Sequence, residues 1–87
     1  MSPELDTLDQ LLGSDMSLDV VRKIFSDDES FTRGLLGLLQ NGDVQLIVDG
    51  SDVPQWRWRE LFDNGEVLGD LARFQLAITD QGAKLVS

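Results

Sequence analysis

Around Asn41-Gly42 the apolar residues change their spacing, and nothing else in the chain constrains the fold as strongly. Before that point, Leu5, Leu8 and Leu12, then Val20, Val21, Ile24 and Phe25, then Phe31, Leu35, Leu38 and Leu39 recur every three or four residues. That is the period of helices with one buried face; Leu36 flanks the last stripe. Beyond it, Val44, Leu46 and Val48 alternate with Gln45 and Asp49, with Ile47 breaking the polar side. Later, Phe74, Leu76 and Ile78 alternate with Gln75, Ala77 and Thr79. Helical periods followed by two matched strand periods predict an α+β domain whose strands pair antiparallel and cover the helices.

The element ends carry their own chemistry. Ser2-Pro3-Glu4 reads as cap, first helical position and favourable first-turn carboxylate, with Gly13 as the stop. A second helix begins after Ser17. Ser26 with Glu29 has the form of a capping box opening a third helix, Asp27 to Asn41. Asp27 and Asp28 then fall in the first turn, where the helix dipole favours negative charge. This acidic run therefore has a structural explanation without a metal. Gly34 and Gly37 inside the third helix are each about 1 kcal/mol less favourable than alanine, which predicts close approach of another backbone. A Gly-x-x-Gly clamp for nucleic acid is disfavoured, because Leu35 and Leu36 stand where basic residues belong. Thr79 is placed to cap a short last helix, Asp80 to Val86, with Ala83, Leu85 and Val86 inward.

The connection from Asp49 to Ala72 is too long for a simple turn. As a helix, its centre is capped by Ser51 or Asp52, has Pro54 in the first turn and stops at Asn64-Gly65. As a strand, Trp56, Trp58 and Phe62 alternate with Arg57, Arg59 and Leu61. The termini favour the helix. Gly65 to Asp70 reads as loop.

The chain has 87 residues and contains neither cysteine nor histidine. It is expected to form one domain over residues 1–87, resting on a single modest core without disulfides. The usual ligands of zinc, copper and non-haem iron are missing, as is the usual neutral-pH general base. A serine nucleophile would have only Lys23 or Lys84 as base, in no recognisable spacing. Neither Gly-rich phosphate loop occurs, and Asp49-Gly50-Ser51-Asp52 lacks the spacing and terminal glutamate of a calcium loop. No enzymatic activity, metal or cofactor is expected. No apolar run approaches the length of a membrane span, and the N-terminus lacks the blocks of a signal peptide. The expected location is the cytoplasm, without membrane attachment.

Sixteen acidic and seven basic residues give a net charge of −9. Residues 1–30 hold half of the carboxylates against only Arg22 and Lys23. Such a field favours a soluble surface and basic partners and repels nucleic acid. Within it, Trp56-Arg57-Trp58-Arg59 is a local positive, stackable patch made of residue types enriched among binding hot spots. The competing reading puts one or both indoles in the core, with the arginines balancing nearby carboxylates.

Three helices, a strand, a long excursion and a returning strand resemble the order of a winged helix. Leu35-Leu36-Gly37-Leu38-Leu39-Gln40-Asn41-Gly42-Asp43-Val44-Gln45-Leu46 is similar to a recognition helix running through glycine into the first wing strand. Ala77-Ile78-Thr79-Asp80-Gln81-Gly82-Ala83-Lys84-Leu85-Val86 resembles the step that closes the wing in MarR- and PadR-type regulators. The resemblance, over residues 16–86, implies three N-terminal helices, a two- to three-stranded antiparallel wing and a short C-terminal helix. It makes the third helix the DNA-reading element and residues 49–73 the wing. Against that role, the reading end carries Asp27, Asp28 and Glu29, and Arg33 is the only basic residue on the helix. There is also no room for the long dimerisation helices of those regulators. The expected function is thus a protein-interaction or regulatory module that contacts a protein partner through Trp56, Arg57, Trp58 and Arg59. The alternative is a DNA-binding regulator using Arg57, Arg59 and Arg73 with Arg33. A nucleic-acid mimic ranks below both, because caps already explain many of the carboxylates.

Overall fold

The computed structural model describes residues 2–86. Helix α1 (Pro3–Leu11) starts as its sequence predicts: the Ser2 hydroxyl accepts from the Leu5 N–H at 3.2 Å, with Pro3 in the first turn. Its buried face is Thr7, Leu8 and Leu11, while Leu5 and Leu12 stay exposed. The expected Leu5–Leu8–Leu12 stripe is therefore rotated toward Leu11. A two-residue strand β1 (Met16–Ser17) leads into the short helix α2 (Leu18–Arg22). Here Leu18 and Val21 are buried and Val20 is exposed. Phe25, beyond the helix, meets Phe31 edge to face at 5.7 Å between ring centroids.

Helix α3 (Asp28–Gln40) is the central element, burying Phe31, Leu35, Leu38 and Leu39. Its cap is Asp27, not Ser26: the Asp27 carboxylate accepts from the Ser30 N–H at 2.7 Å. The helix begins one residue later than the capping box implies, and a carboxylate takes the place of the hydroxyl. Gly34 is a site of close approach, but to side chains rather than backbone. A Cβ there would lie 2.6 Å from the Phe25 ring and 2.7 Å from Glu4 Oε1. Gly37 meets nothing within 4 Å.

Strands β2 (Val44–Val48) and β4 (Phe74–Ile78) pair antiparallel, with Leu46 opposite Leu76 and Val48 opposite Phe74. Val44, Leu46, Phe74 and Leu76 point into the core, as the alternation predicts. The sheet has four strands in the order β1-β4-β2-β3, all pairs antiparallel. Strand β3 (Ser51–Asp52) folds back on β2 through Asp49-Gly50, both with positive φ, a two-residue hairpin. Ser51 and Asp52 are thus occupied in the sheet and do not cap the following helix. That helix, α4 (Gln55–Asp63), follows Pro54 without a side-chain cap. After Asn64-Gly65 comes a single-turn helix α5 (Glu66–Gly69), where loop was expected, and a 3₁₀ turn over Leu71–Arg73. The number of helices and strands therefore exceeds the plan of three N-terminal helices, a two- to three-stranded wing and a short C-terminal helix. The segment between the long strands folds largely into helices, because Leu61, Phe62 and Val67 bury there.

Helix α6 (Asp80–Val86) is capped by Thr79, whose hydroxyl accepts from the Gly82 N–H at 3.1 Å and donates to the Gly42 carbonyl at 2.6 Å. Val86 packs on the core and Ala83 is half-buried, but Leu85 is exposed rather than inward. Gly82 is where two backbones do come together: a Cβ there would stand 2.1 Å from the Asp43 carbonyl oxygen. Among the described residues, no helix is long and apolar enough to cross a membrane.

Candidate interaction surface

Successive residues of an α-helix are rotated by about 100°, so Trp56 and Trp58 leave α4 on nearly opposite sides. Leu61 and Phe62 anchor the helix to the core, and Trp58 lies on their side. Its indole N–H donates to the Val53 carbonyl at 3.1 Å, which satisfies the one polar atom of a largely apolar ring. Trp56 points the other way and is 76% exposed. Arg59 is one turn on and its near neighbour on the helix surface, while Arg57 is half-buried on the far flank of Trp56. The four-residue patch is thus divided. Trp56 and Arg59 face solvent together, and Trp58 belongs to the packing.

Arg59 also borders a groove of about 680 Å³ that runs between the outward face of α3 and α5. Leu36, Gly37 and Leu68 form its apolar floor; Arg33, Thr32 and Gln40 stand along α3, with Asp28 and Glu29 at one end. Arg33 and Arg59, far apart in sequence, therefore share one rim. Leu36 and Leu68 escaped the sequence reading, one as a residue beside the helical stripe and the other inside a presumed loop. The available signal was Leu36 itself, a leucine off the buried face of α3.

The arginines differ in how they are held. Arg22 Nε lies 2.7 Å from Asp28 Oδ1 and also donates to the Phe25 carbonyl, tying the α2–α3 turn. Arg33 pairs with Glu29 at 3.1 Å. Arg73 pairs with Asp49 at 3.0 Å, and hydrogen bonding to that carboxylate raises its pKa above the ordinary arginine value. Among the described residues, Arg57 and Arg59 form no ion pair. Two carboxylates at helix starts, Asp27 and Asp19, have their pKa lowered. The Ser30 backbone N–H lowers the pKa of Asp27, and the Ser17 hydroxyl, hydrogen-bonded to Asp19, lowers that of Asp19. Among the described residues, no group of three or more acidic side chains is close enough to hold a metal ion.

Comparison with known protein families, with curated proteins and with solved structures finds no match to this chain.

Proposed function

We propose that this chain is a non-enzymatic interaction module of winged-helix type, akin to MarR- and PadR-type regulators in architecture alone, that docks a protein partner through Trp56 and Arg59. The architectural part is supported by the order of three N-terminal helices, strand, long excursion and returning strand. The functional part is carried by one observation: Trp56 is 76% exposed on a helix whose other large apolar side chains, Trp58, Leu61 and Phe62, are packed. An indole in water beside an arginine that makes no described ion pair, next to an apolar-floored groove, has the make-up of a binding hot spot.

The DNA-binding alternative receives less support. At the start of α3 stand Asp27, Asp28 and Glu29, and the Arg33 and Arg73 guanidiniums already have carboxylate partners. Phosphate contacts would have to displace those partners against a net charge of −9.

The test compares immobilised wild-type protein with Trp56→Ala, Arg59→Ala and Arg57→Ala, using extracts of cells that express it and quantitative mass spectrometry. A specific partner retained by wild type and Arg57→Ala should be lost on Trp56→Ala, since removing a hot-spot tryptophan weakens binding by about 30-fold or more. Identical retention by all four proteins would refute the reading. In parallel, saturable and salt-sensitive binding of a labelled DNA duplex would transfer the function to the DNA-binding alternative.

A further inference from the structure

A second cleft, of about 510 Å³, lies on the other flank of α3, and its lining is of a different kind. Ser30, Arg33, Gly34, Gly37, Leu38 and Asn41 of α3 and the turn after it form one wall. These positions follow the three- and four-residue steps of a single helix face, so the cleft runs straight for about 16 Å, three turns of helix. The opposite wall is the start of α1, with Leu85 of α6. Leu5 and Leu85, exposed by 40% and 57%, place two aliphatic side chains in water along that wall. Between them the floor is open at Gly37, where nothing lies within 4 Å of an added Cβ, while Gly34 is buried beneath the Phe25 ring and Glu4.

The charges give the cleft a sign. Glu4 lies over Gly34, its Oε1 2.7 Å from where a Cβ would stand, while Asp43 at the far end is buried and accepts from Gln81. Among the described residues, the only cation in the lining is Arg33, which already has Glu29 as partner. Glu4, Asp6 and Asp9 of α1 form no ion pair among the described residues. The groove beyond α3, by contrast, balances Arg33 and Arg59 with Asp28 and Glu29 and so selects no sign of partner.

We infer that this cleft between α3 and α1 is a docking site for a basic amphipathic helix of a protein partner. The length of the cleft matches about three helical turns, and aliphatic side chains of an i, i+3, i+4, i+7 stripe would meet the exposed Leu5 and Leu85, with Leu8 and Leu38 buried beneath them. Lysines or arginines flanking that stripe would face Glu4 and the acidic surface of α1. No strand residue lines the cleft, so it has no open sheet edge for an extended peptide to join. A second copy of this chain carries the same −9 charge and would be repelled. Trp56 and Arg59 lie outside the cleft, and the inference stands independently of the function proposed for them.

The probe is a fluorescein-labelled peptide of about twelve residues, with leucines at i, i+3, i+4 and i+7 and lysines elsewhere. Two controls accompany it: the same composition with the leucines scattered, and the amphipathic sequence with glutamate replacing lysine. Anisotropy with the intact protein should show saturable binding of the first peptide alone, weakened by salt. Amide shifts in NMR spectra should concentrate on Gly34, Gly37 and Leu85. Leu85→Ser and Glu4→Gln should each weaken binding by about five- to tenfold, a loss of one exposed aliphatic contact or one charge contact. Trp56→Ala should leave it unchanged, which separates this site from the α4 surface. Equal binding of the scattered peptide, shifts spread over the acidic surface, or no binding at all would each overturn the assignment.

Discussion

Replacing Gly82 by alanine and replacing Gly37 by alanine are the same chemical change in two helices, yet the packing predicts opposite signs. In an unobstructed helix interior, alanine is more stable than glycine by about 0.5–1 kcal/mol, because glycine loses more backbone freedom on folding. At Gly37 nothing lies within 4 Å of the added methyl, so the full gain should appear. At Gly82 the methyl would lie 2.1 Å from the Asp43 carbonyl oxygen, whereas ordinary contact begins near 3.4 Å. The obstacle is backbone, so α6 and the turn before β2 must separate by more than an ångström. That separation stretches the bonds that join them: Thr79 N–H to the Asp43 carbonyl at 3.0 Å, Thr79 hydroxyl to the Gly42 carbonyl at 2.6 Å, and Gln81 to the Asp43 carboxylate at 3.1 Å. Overpacking of about 1–3 kcal/mol, with partial weakening of three hydrogen bonds worth about 0.5–1.5 kcal/mol each, outweighs the helical gain. The expected net loss is about 2–4 kcal/mol, a large share of the stability of a domain this size. Urea and thermal unfolding followed by circular dichroism read both variants. Tm should rise by about 3–6 °C for Gly37→Ala and fall by about 10–25 °C for Gly82→Ala. A Gly82→Ala protein within about 0.5 kcal/mol of wild type would refute the docking of α6 on residues 41–43.

Other outcomes follow from the same geometry. The Asp27 carboxylate, its pKa lowered by the Ser30 N–H, supports α3 fully above the ordinary aspartate value of 3.8; that support is lost as pH falls through its lower folded value. Asp27→Asn keeps an acceptor but should flatten this acid limb of the stability-pH curve; an unchanged curve would count against the cap. Acrylamide should quench Trp56 strongly and Trp58 weakly, measured in the single-tryptophan variants Trp56→Phe and Trp58→Phe. Trp58→Phe, which loses the bond to the Val53 carbonyl, should be destabilised by about 0.5–1.5 kcal/mol, and Trp56→Phe by less than about 0.5. Phe31→Ala removes a fully buried ring that meets Phe25 edge to face, and should lower the unfolding free energy by about 3–5 kcal/mol in a urea titration.

Much of the local structure was legible from residue types. Ser2-Pro3 and Thr79 act as helix caps because capping needs only a side-chain oxygen and the nearby backbone. The alternation around Leu46 and Leu76 was enough to predict their antiparallel pairing and buried face. Asp49-Gly50 also carried a hairpin signal, which explains strand β3. At α3, Ser26 and Asp27 are both competent caps one residue apart, and the choice of Asp27 follows from where the helix packs. The candidate surface was half legible: once residues 55–63 are helical, a 100° step already separates Trp56 from Trp58.

Hydrophobic period and end chemistry, then, determined by themselves that helices precede a small antiparallel sheet, and that acidic residues dominate the first half of the chain. Only the tertiary structure decided which tryptophan stays in water, that Arg33 and Arg59 share a rim, and that Gly82 rather than Gly37 sits against another backbone. It also turned Leu5 and Leu85 toward solvent along one cleft. The physical reason is range: period and caps act over a few residues, whereas these pairings depend on how elements far apart in sequence dock on α3 and the sheet.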